Sequence, residues 1–295
     1  MDRSGSPVVT PSEVRGRSSI PAPAPSGAQR LRGDTGGWLL WIDDLPRPGW
    51  ANMAIDQALL ERAEHQGEGW LRLYQWAPHC LSFGRHEPAT RRYDSERITE
   101  LGLDTVRRPT GGRAVWHAEE LTYAVAAPSI RFGSLPAAYL EIHDMLADAL
   151  RGLGARASLA PPVRTPPLDT GPCFSQPAGG EIMIEGRKVV GSAQLRQGGA
   201  LLQHGSILLE DNQGFVVGLT RGATIARSLQ RSQQALHEPG TAKPFRGREV
   251  AEAVAQAAGD RWPGEWNRGP DPAPVLRTAT SLYSHYRSAA WTWAR

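Results

Sequence analysis

The sequence predicts an α+β fold, in which a mixed or antiparallel β-sheet is flanked by helices. Segments with alternating or continuous apolar residues indicate strands, and longer segments with apolar residues every three or four positions indicate helices. The two kinds of segment alternate irregularly, and several predicted strands follow one another directly. A regular strand–helix repeat would indicate a parallel sheet, so the irregular order favours a mixed one.

Five segments are predicted to be helices. The clearest begins at Pro136 and ends before Gly154, because proline is favoured in the first helical turn and glycine just after the last. Its apolar stripe consists of Ile142, Met145, Leu146, Leu150 and Leu153. Asn52 is predicted to cap an earlier helix that runs to residue 65. The other three predicted helices span residues 91–101, 247–258 and 277–287.

Seven segments are predicted to be strands, because they are rich in β-branched, aromatic and other apolar residues. They span residues 70–76, 80–83, 104–108, 121–126, 181–185, 188–195 and 200–209. A tight turn at Glu185-Gly186-Arg187 is predicted to join two of these strands as a hairpin, because glycine readily adopts the backbone angles that such turns need.

The bulk composition excludes several classes of protein. The 295 residues can bury a sizeable core, and no run of roughly 20 apolar residues predicts a membrane span. A secretory signal requires a compact apolar block after its basic residues, and none follows the early basic residues here. With only two cysteines, Cys80 and Cys173, neither a disulfide framework nor a structural zinc site is expected. We therefore expect a cytoplasmic protein with free thiols.

The charge pattern bears on the choice of partner. The formal net charge is +3 and the isoelectric point is about 9.1. The positive residues are mixed with negative ones rather than clustered, so a nucleic acid partner is not expected. A mildly basic surface suits an acidic protein partner, because opposite electrostatic fields speed the encounter.

The first segment of the chain differs in composition from the rest. Residues 1–36 are rich in proline, serine, glycine and alanine. Such a segment buries too little apolar area to offset the conformational entropy that it would lose on ordering. We predict a disordered tail there and a folded part that begins near Trp38.

The first candidate functional segment follows the strand predicted at residues 104–108. It reads RRPTGGRAVWH and contains three arginines and the pair Gly111 and Gly112. Glycine lets the backbone turn sharply or lie against a ligand, and arginines can hold a phosphate group. On composition alone, a basic loop with a Gly-Gly turn is the plainer interpretation. The segment matches neither a Walker loop nor a dinucleotide-binding fingerprint.

The second candidate is Cys173, in a loop rich in proline and glycine at about residues 160–180. A lone cysteine is more often a small core residue than a nucleophile. Loops on a rigid scaffold, however, carry a large share of catalytic groups. Cys80 lies in a predicted strand and is interpreted as a core residue.

The third candidate is Lys188, in the segment GRKVVGSAQ. Arginine supplies nearly all the positive charge of the chain, and Lys243 is the only other lysine. A lysine kept at this position suggests a need for a compact ammonium group whose pKa can shift. The alternative is a solvated lysine in a turn. No metal site is predicted, because the spacing of the histidines does not suit one, and hydrogen bonding is expected of His79, His86, His117 and His204.

Together, these segments resemble the biotin/lipoate protein ligase superfamily. Residues 107–125 resemble its signature, residues 186–209 resemble its second block, and residues 52–56 resemble its opening helix. The similarity spans about residues 38–209, with a weaker match at 282–293. Within the superfamily, the chain is most similar to the octanoyl-[acyl carrier protein]:protein N-octanoyltransferases of the LipM type, because a Pro-Cys-Phe loop precedes the lysine segment.

The resemblance implies a domain organisation and a set of site residues. Residues 37–245 would form an acyltransferase catalytic domain, and residues 246–295 a helical extension packed on the same domain. Cys173 would be the nucleophile and Lys188 its catalytic partner, with no cofactor. Substrate-binding roles are implied for Arg107, Arg108, Thr110, Gly111, Gly112, Arg113, His117, Gly191, Ser192 and Ala193, with His117 bracing the glycine loop.

The implied reaction moves octanoyl from acyl carrier protein, the donor, to a lysine of a lipoyl-domain protein. The implied acceptors are the glycine cleavage H protein and the E2 subunits of 2-oxoacid dehydrogenases. Three alternatives stay open. The first is an ATP-dependent lipoate or biotin ligase. The second is an amidotransferase that passes octanoyl between lipoyl-carrying proteins, and the third is a non-catalytic binder of acylated carrier proteins.

Overall fold

The computed structural model describes residues 36–161, 179–223 and 246–295 of the chain. The predicted tail up to residue 35 and the predicted nucleophile Cys173 lie outside these ranges. Within them, the chain forms two β-sheets, and helices pack against both faces of the larger sheet. The predicted α+β class with a mixed sheet is therefore confirmed.

The described ranges contain eleven strands. In chain order they are β1 (Trp38–Arg47), β2 (Gly69–Trp76), β3 (Cys80–Phe83), β4 (Asp104–Arg107), β5 (Val115–His117), β6 (Glu120–Pro128), β7 (Ala157–Leu159), β8 (Ile182–Ile184), β9 (Arg187–Gln197), β10 (Ala200–Leu208) and β11 (Trp266–Arg268). Eight form the main sheet in the order β11–β1–β2–β6–β10–β9–β8–β7, and three form a smaller sheet in the order β4–β3–β5. In the main sheet, β1 is parallel to β2 and β11, whereas the other neighbours are antiparallel.

Eight α-helices occur in the same ranges. They are α1 (Gly49–Gln66), α2 (Ala89–Arg92), α3 (Ser95–Glu100), α4 (Leu135–Gly152), α5 (Gly214–Gly218), α6 (Gly247–Arg261), α7 (Ala273–Arg287) and α8 (Ala289–Thr292). α1 and α7 cover one face of the main sheet, and α4 and α6 cover the other. None of these helices combines the length and the apolar character that crossing a membrane demands.

The central strands of the main sheet are buried on both faces, because helices cover each face. In β6, Leu121, Tyr123 and Val125 pack toward α4 and α6, whereas Ala124 and Ala126 pack toward α1. Alternate residues of a strand point to opposite faces, and the two alanines leave room for α1 to lie close to the sheet. α7 covers the outer side of α1 with its buried residues Val275, Ala279 and Tyr286.

The prediction that Asn52 caps a helix is wrong. α1 begins at Gly49, and Asn52 is fully buried within its first turn. The Asn52 amide donates to the carbonyl oxygens of Arg47 and Gln75, and its oxygen accepts a hydrogen bond from Arg72. The side chain therefore ties α1 to β1 and β2 instead of capping a helix.

The other elements agree with the sequence to different degrees. All seven predicted strands are confirmed within two residues at each end. The single helix predicted over residues 91–101 is wrong, because Asp94 separates two short helices and caps the second by accepting a hydrogen bond from the backbone N–H of Arg97 at 3.1 Å. Strands β1, β5, β7 and β11 were not predicted.

Candidate active site

A narrow cavity lies between α1, the main sheet and the smaller sheet. The centres of water-sized molecules can occupy only about 30 Å³ inside it. Six of the residues that the sequence analysis assigned to the site line it together: Arg108, Gly112, His117, Gly191, Ser192 and Ala193. They come from segments about 80 residues apart, so the fold joins the two sequence blocks at one place.

Other walls of the cavity were not assigned from the sequence. They include Met53, Tyr74, Trp76, Thr122, His204 and Ser206. Thr122 belongs to β6, and His204 and Ser206 belong to β10, two strands that are otherwise mostly apolar and buried. A polar residue inside a buried strand needs a hydrogen-bonding partner. Hydrogen bonding was expected of His204, whereas the same signal at Thr122 and Ser206 was overlooked.

The Gly-Gly turn packs directly against the end of β3. Gly112 has a φ of +91°, a conformation that favours glycine. A Cβ placed on Gly84 would overlap the carbonyl oxygen of Gly112, so the two backbones are closer than any side chain would permit. The backbone N–H of Arg85 also donates to the Thr110 carbonyl oxygen at 2.8 Å. These contacts hold the turn at the rim of the cavity.

Arg108 fixes the same turn from below. Its buried guanidinium donates to the carbonyl oxygens of Gly111 at 3.2 Å and Arg113 at 2.8 Å. It also donates to the carbonyl and hydroxyl oxygens of Ser82. Arg108 lines the cavity, but its described hydrogen bonds go to the protein. It therefore orders the loop that surrounds the cavity.

Arg107 lies elsewhere than the sequence analysis expected. Its side chain is fully buried and does not line the cavity. The guanidinium donates to backbone carbonyl oxygens of two separate segments, which are those of Gly84, Arg85, Glu87, Trp291 and Thr292. These hydrogen bonds join the glycine segment to α8. The assignment of Arg107 to substrate binding stays a prediction, and these contacts favour a structural role instead.

His117 stands between the smaller sheet and the cavity. Its Nδ1 lies 2.7 Å from Glu120 Oε1 and its Nε2 lies 2.6 Å from Ser82 Oγ, while its ring stacks on Trp76 at 3.8 Å between centroids. Burial lowers the pKa of His117, although Glu120 opposes the shift. A neutral ring with its proton on Nδ1 then donates a hydrogen bond to Glu120 and accepts one from the Ser82 hydroxyl. The Ser82 oxygen also accepts a hydrogen bond from Arg108. These are the contacts of a bracing residue.

Thr110 is held by a second histidine. Thr110 Oγ1 lies 2.6 Å from His204 Nε2, and His204 Nδ1 lies 2.8 Å from Asp56 Oδ2. Asp56 also accepts from Tyr74 at 2.7 Å and from Arg72 at 3.1 Å, and all of these side chains are buried. Because the carboxylate accepts a hydrogen bond from Nδ1–H, His204 Nε2 can accept one from the Thr110 hydroxyl. The glycine turn is thus tied through β10 to α1.

Lys188 lies on β9 and does not line the cavity. Its ammonium group is 2.6 Å from Glu181 Oε1, and only 2% and 7% of the two side chains are exposed. A buried ammonium is stable only with such a partner, because removing a charge from water costs several kcal/mol. Glu181 was not assigned from the sequence. The position of Cys173 relative to this pair lies outside the described residues.

The other cysteine, Cys80, occupies a core position. Cys80 is fully buried, and burial raises the pKa of its thiol well above the ordinary value. This confirms the interpretation of Cys80 as a core residue. Within the three described ranges, no group of three or more histidine, cysteine and acidic side chains is arranged to hold a metal ion.

Comparison with known protein families identifies the relatives of this chain. The model of the lipoyl protein ligase A/B catalytic domain matches residues 48–251. The chain is 34% identical over 261 residues to octanoyltransferase LipM of Kyrpidia tusciae, a match that covers 83% of this chain and 94% of that protein. It is 37% identical over 224 residues to octanoyltransferase LipM of Carboxydothermus hydrogenoformans, which covers 72% and 82% of the two chains.

Solved structures share the fold. The crystal structure of lipoate-protein ligase A bound with ATP superposes with a TM-score of 0.69 over 88% of this chain and 98% of that one, at 19% identity. The bipartite lipoate protein ligase of Thermoplasma acidophilum superposes with a TM-score of 0.67 over 88% and 97%, at 20% identity. These findings confirm the resemblance to the superfamily. The family match and the curated relatives together show that the chain belongs to the lipoyl protein ligase A/B catalytic domain family.

Proposed function

We propose that this protein is an octanoyltransferase of lipoate biosynthesis, which acts in the cytoplasm. The donor is octanoyl-acyl carrier protein, and the acceptor is a lysine of a lipoyl domain in the glycine cleavage H protein or in an E2 subunit of a 2-oxoacid dehydrogenase. The observation that carries the proposal is the 34% identity that extends over 94% of a curated octanoyltransferase. The cavity that gathers residues of both sequence blocks supports it.

The proposed chemistry proceeds in two half-reactions through Cys173. In the first, the Cys173 thiolate attacks the donor thioester carbonyl, a new C–S bond forms, the C–S bond to the carrier breaks, and the carrier leaves as a thiolate that takes a proton from water. In the second, the neutral amine of the acceptor lysine attacks the acyl-enzyme, a C–N bond forms, and the Cys173 sulfur leaves while the amine loses a proton. The first step exchanges one thioester for another, so no ATP is consumed. Covalent catalysis of this kind gives ping-pong kinetics.

Lys188 supplies the positive charge in this proposal. An ammonium group near a thiol stabilises the thiolate, and free cysteine ionises only near pH 8.5. The same group can donate a hydrogen bond to the oxyanion that forms on the acyl carbonyl. The ion pair with Glu181 supports this role, because it holds the ammonium group of Lys188 in one place although the side chain is almost completely buried.

The acyl chain would lie in the cavity beside Gly112. Met53, Trp76 and Val115 supply apolar surface there, and each buried methylene contributes about 0.8 kcal/mol. Chain length would then be selected by the depth of the cavity. We assign the catalytic domain to residues 37–245, with residues 246–295 as an extension of it, and the hydrogen bond of Arg107 to Trp291 supports the packing of that extension on the domain.

The proposal is tested by mixing the protein with octanoyl-acyl carrier protein and an apo lipoyl domain, without ATP, and measuring the intact mass of each protein. We expect an octanoylated enzyme intermediate and an octanoylated lipoyl domain. Cys173→Ala should form neither. Cys80→Ala is the matched control, because it removes the buried cysteine and should leave the transfer intact. Transfer by Cys173→Ala at the normal rate would refute the proposed mechanism.

Two related activities are distinguished by the same assay. The fold is shared with a lipoate-protein ligase that binds ATP, so an ATP-dependent ligase is the main alternative. A ligase would use free octanoate and ATP and would tolerate the loss of Cys173. An amidotransferase would reject the carrier protein and accept octanoyl from a second lipoyl-carrying protein.

A further inference from the structure

The face of the main sheet opposite α1 contains a buried hydrogen-bonded chain that reaches the cavity from behind. At its centre is His143, a fully buried residue of α4. His143 Nε2 lies 2.7 Å from the hydroxyl oxygen of Ser192, which lines the cavity. His143 Nδ1 lies 2.6 Å from the carbonyl oxygen of Gly180. One imidazole ring therefore contacts both the cavity wall and the segment just before β8.

The direction of each hydrogen bond in this chain can be assigned. The Gly180 carbonyl oxygen can only accept, so Nδ1 carries the proton. Burial lowers the pKa of His143 to about 4, so the ring is neutral near pH 7 and Nε2 accepts from the Ser192 hydroxyl. The Ser192 oxygen then accepts from the Tyr123 hydroxyl at 2.6 Å, and the Tyr123 oxygen accepts from the Gln203 amide at 2.9 Å. Each of these polar groups has a compatible partner.

The Gly180 end of the chain is fixed to Lys188. The backbone N–H of Gly180 donates to the Ala160 carbonyl oxygen at 2.9 Å, and the N–H of Ala160 donates to the Glu181 carbonyl oxygen at 2.7 Å. The Glu181 side chain is paired with Lys188 at 2.6 Å. His143 thus holds the peptide immediately before the residue that holds the ammonium group.

We propose that His143 is a positioning residue, which sets the Glu181–Lys188 pair in a fixed place relative to the cavity wall at Ser192. The catalytic importance of that placement rests on the function proposed above for Lys188. Catalytic groups must be held within roughly 0.5 Å of their working position, and a residue that contacts no substrate can decide this. His143 does so by two hydrogen bonds with opposite roles, one donated and one accepted.

Three substitutions separate the two contacts. His143→Phe removes both hydrogen bonds and keeps a ring of similar size. His143→Asn places an amide donor near the position of Nδ1 and can keep the bond to Gly180, whereas His143→Gln places an amide oxygen near the position of Nε2 and can keep the bond from Ser192. Ile142→Val is the matched control, because Ile142 is a fully buried neighbour on the same helix and takes no part in these hydrogen bonds.

The first measurement does not depend on acyl transfer. The chain has two lysines, so mass spectrometry after limited treatment with an amine-acylating reagent compares Lys188 with Lys243 as the internal reference. We expect His143→Phe to raise the labelling of Lys188 at least fivefold relative to Lys243, and His143→Asn to restore most of the protection. Ile142→Val should label like the wild-type protein. Unchanged labelling in His143→Phe would overturn the proposal.

The second measurement uses the reaction. We expect His143→Phe to lower kcat for octanoyl transfer at least tenfold with little change in the KM for the lipoyl domain, and His143→Asn to recover more activity than His143→Gln. Equal losses in His143→Phe and in Ile142→Val would reduce His143 to a packing residue and refute the proposal. If the wild-type protein transfers no octanoyl while His143→Phe still exposes Lys188 to the reagent, the proposed function is wrong and the positioning role stands.

Discussion

Gly205 and Ser192 are paired across β10 and β9, and the Ser192 hydroxyl occupies the space that a side chain at Gly205 would need. A Cβ on Gly205 would also collide with the carbonyl oxygen of Gly191. The missing side chain is what allows the Ser192 hydroxyl to reach Tyr123 over the intervening strand. The glycine is therefore part of the wall of the cavity.

Gly205→Ala should destabilise the protein by about 2 kcal/mol, because the added methyl group must displace backbone atoms in a packed sheet. Urea unfolding monitored by circular dichroism measures the change. Gly199→Ala is the control, since nothing lies within 4 Å of its Cβ position. That variant should be as stable as the wild-type protein or slightly more stable. Equal stability of the two variants would contradict the steric argument.

The buried carboxylate of Asp56 should contribute far more to the free energy of unfolding than an exposed carboxylate does. Asp56→Asn weakens contacts to Arg72, Tyr74 and His204 at once, and disruption of a buried ion pair costs about 3 kcal/mol. Asp148→Asn is the matched change on the surface, where half-exposed ion pairs contribute at most about 1 kcal/mol. Urea unfolding of both variants tests this. An equal, small effect would show that the Asp56 network adds little stability.

Stability should fall as the pH is lowered from about 6.5 to 4, in part because of His143. Burial lowers its pKa from the ordinary 6.5 to about 4. In that window the unfolded chain binds a proton at this residue and the folded chain does not, so acid favours unfolding. The group should make the protein roughly 2 kcal/mol less stable at pH 5 than at pH 7.

Urea unfolding of the wild-type protein and of His143→Phe at pH 7 and at pH 5 tests this prediction. His143→Phe should show a drop between pH 7 and pH 5 that is smaller by roughly the same 2 kcal/mol. The pKa of His117 is also lowered by burial, so the variant keeps a residual dependence of the same sign. An identical drop in the two proteins would mean that His143 is already protonated at pH 5 in the folded state.

Arg107→Lys should destabilise the fold and leave substrate affinity unchanged. A lysine cannot reproduce the planar array of donors that Arg107 presents to carbonyl oxygens on both sides, so several buried acceptors lose their partners, at about 3 kcal/mol in total. Thermal unfolding and the KM for octanoyl-acyl carrier protein distinguish the two effects. Arg91→Lys, on the exposed face of α2, is the control. A tenfold higher KM with normal thermal stability would support a role for Arg107 in substrate binding.

Much of the fold was predictable, because most of its strands are decided by local patterns. Gly186, with a φ of +77°, follows Glu185 with a φ of +50°, and this turn fixes the hairpin of β8 and β9 where the sequence placed it. Asn52 shows the limit. A helix cap is a local property, but the amide oxygen of Asn52 accepts a hydrogen bond from Arg72, which lies on β2. No pattern within one helix reveals such a contact.

The candidate site was predictable in its glycine and serine segments and less so elsewhere. Arginines next to a Gly-Gly pair suggested anion binding, yet Arg107 finds its partners on α8, more than 180 residues away in sequence. His143 lies within an apolar helical stripe and was overlooked, although a histidine in such a stripe must find partners of its own. Glu181, the partner of Lys188, was also overlooked, although it precedes an apolar strand.

The two backbone hydrogen bonds that join Ala160 to Gly180 and Glu181 have an evolutionary consequence. They join residues on either side of the stretch that contains Cys173, so the link at the base of that stretch is made by backbone atoms of Ala160, Gly180 and Glu181. Each doubling of the length between these anchors adds only about 0.6 kcal/mol of loop-closure entropy, so changes of length there are tolerated. A nucleophilic residue can therefore be gained or lost in this stretch while the two hydrogen bonds at its base stay the same.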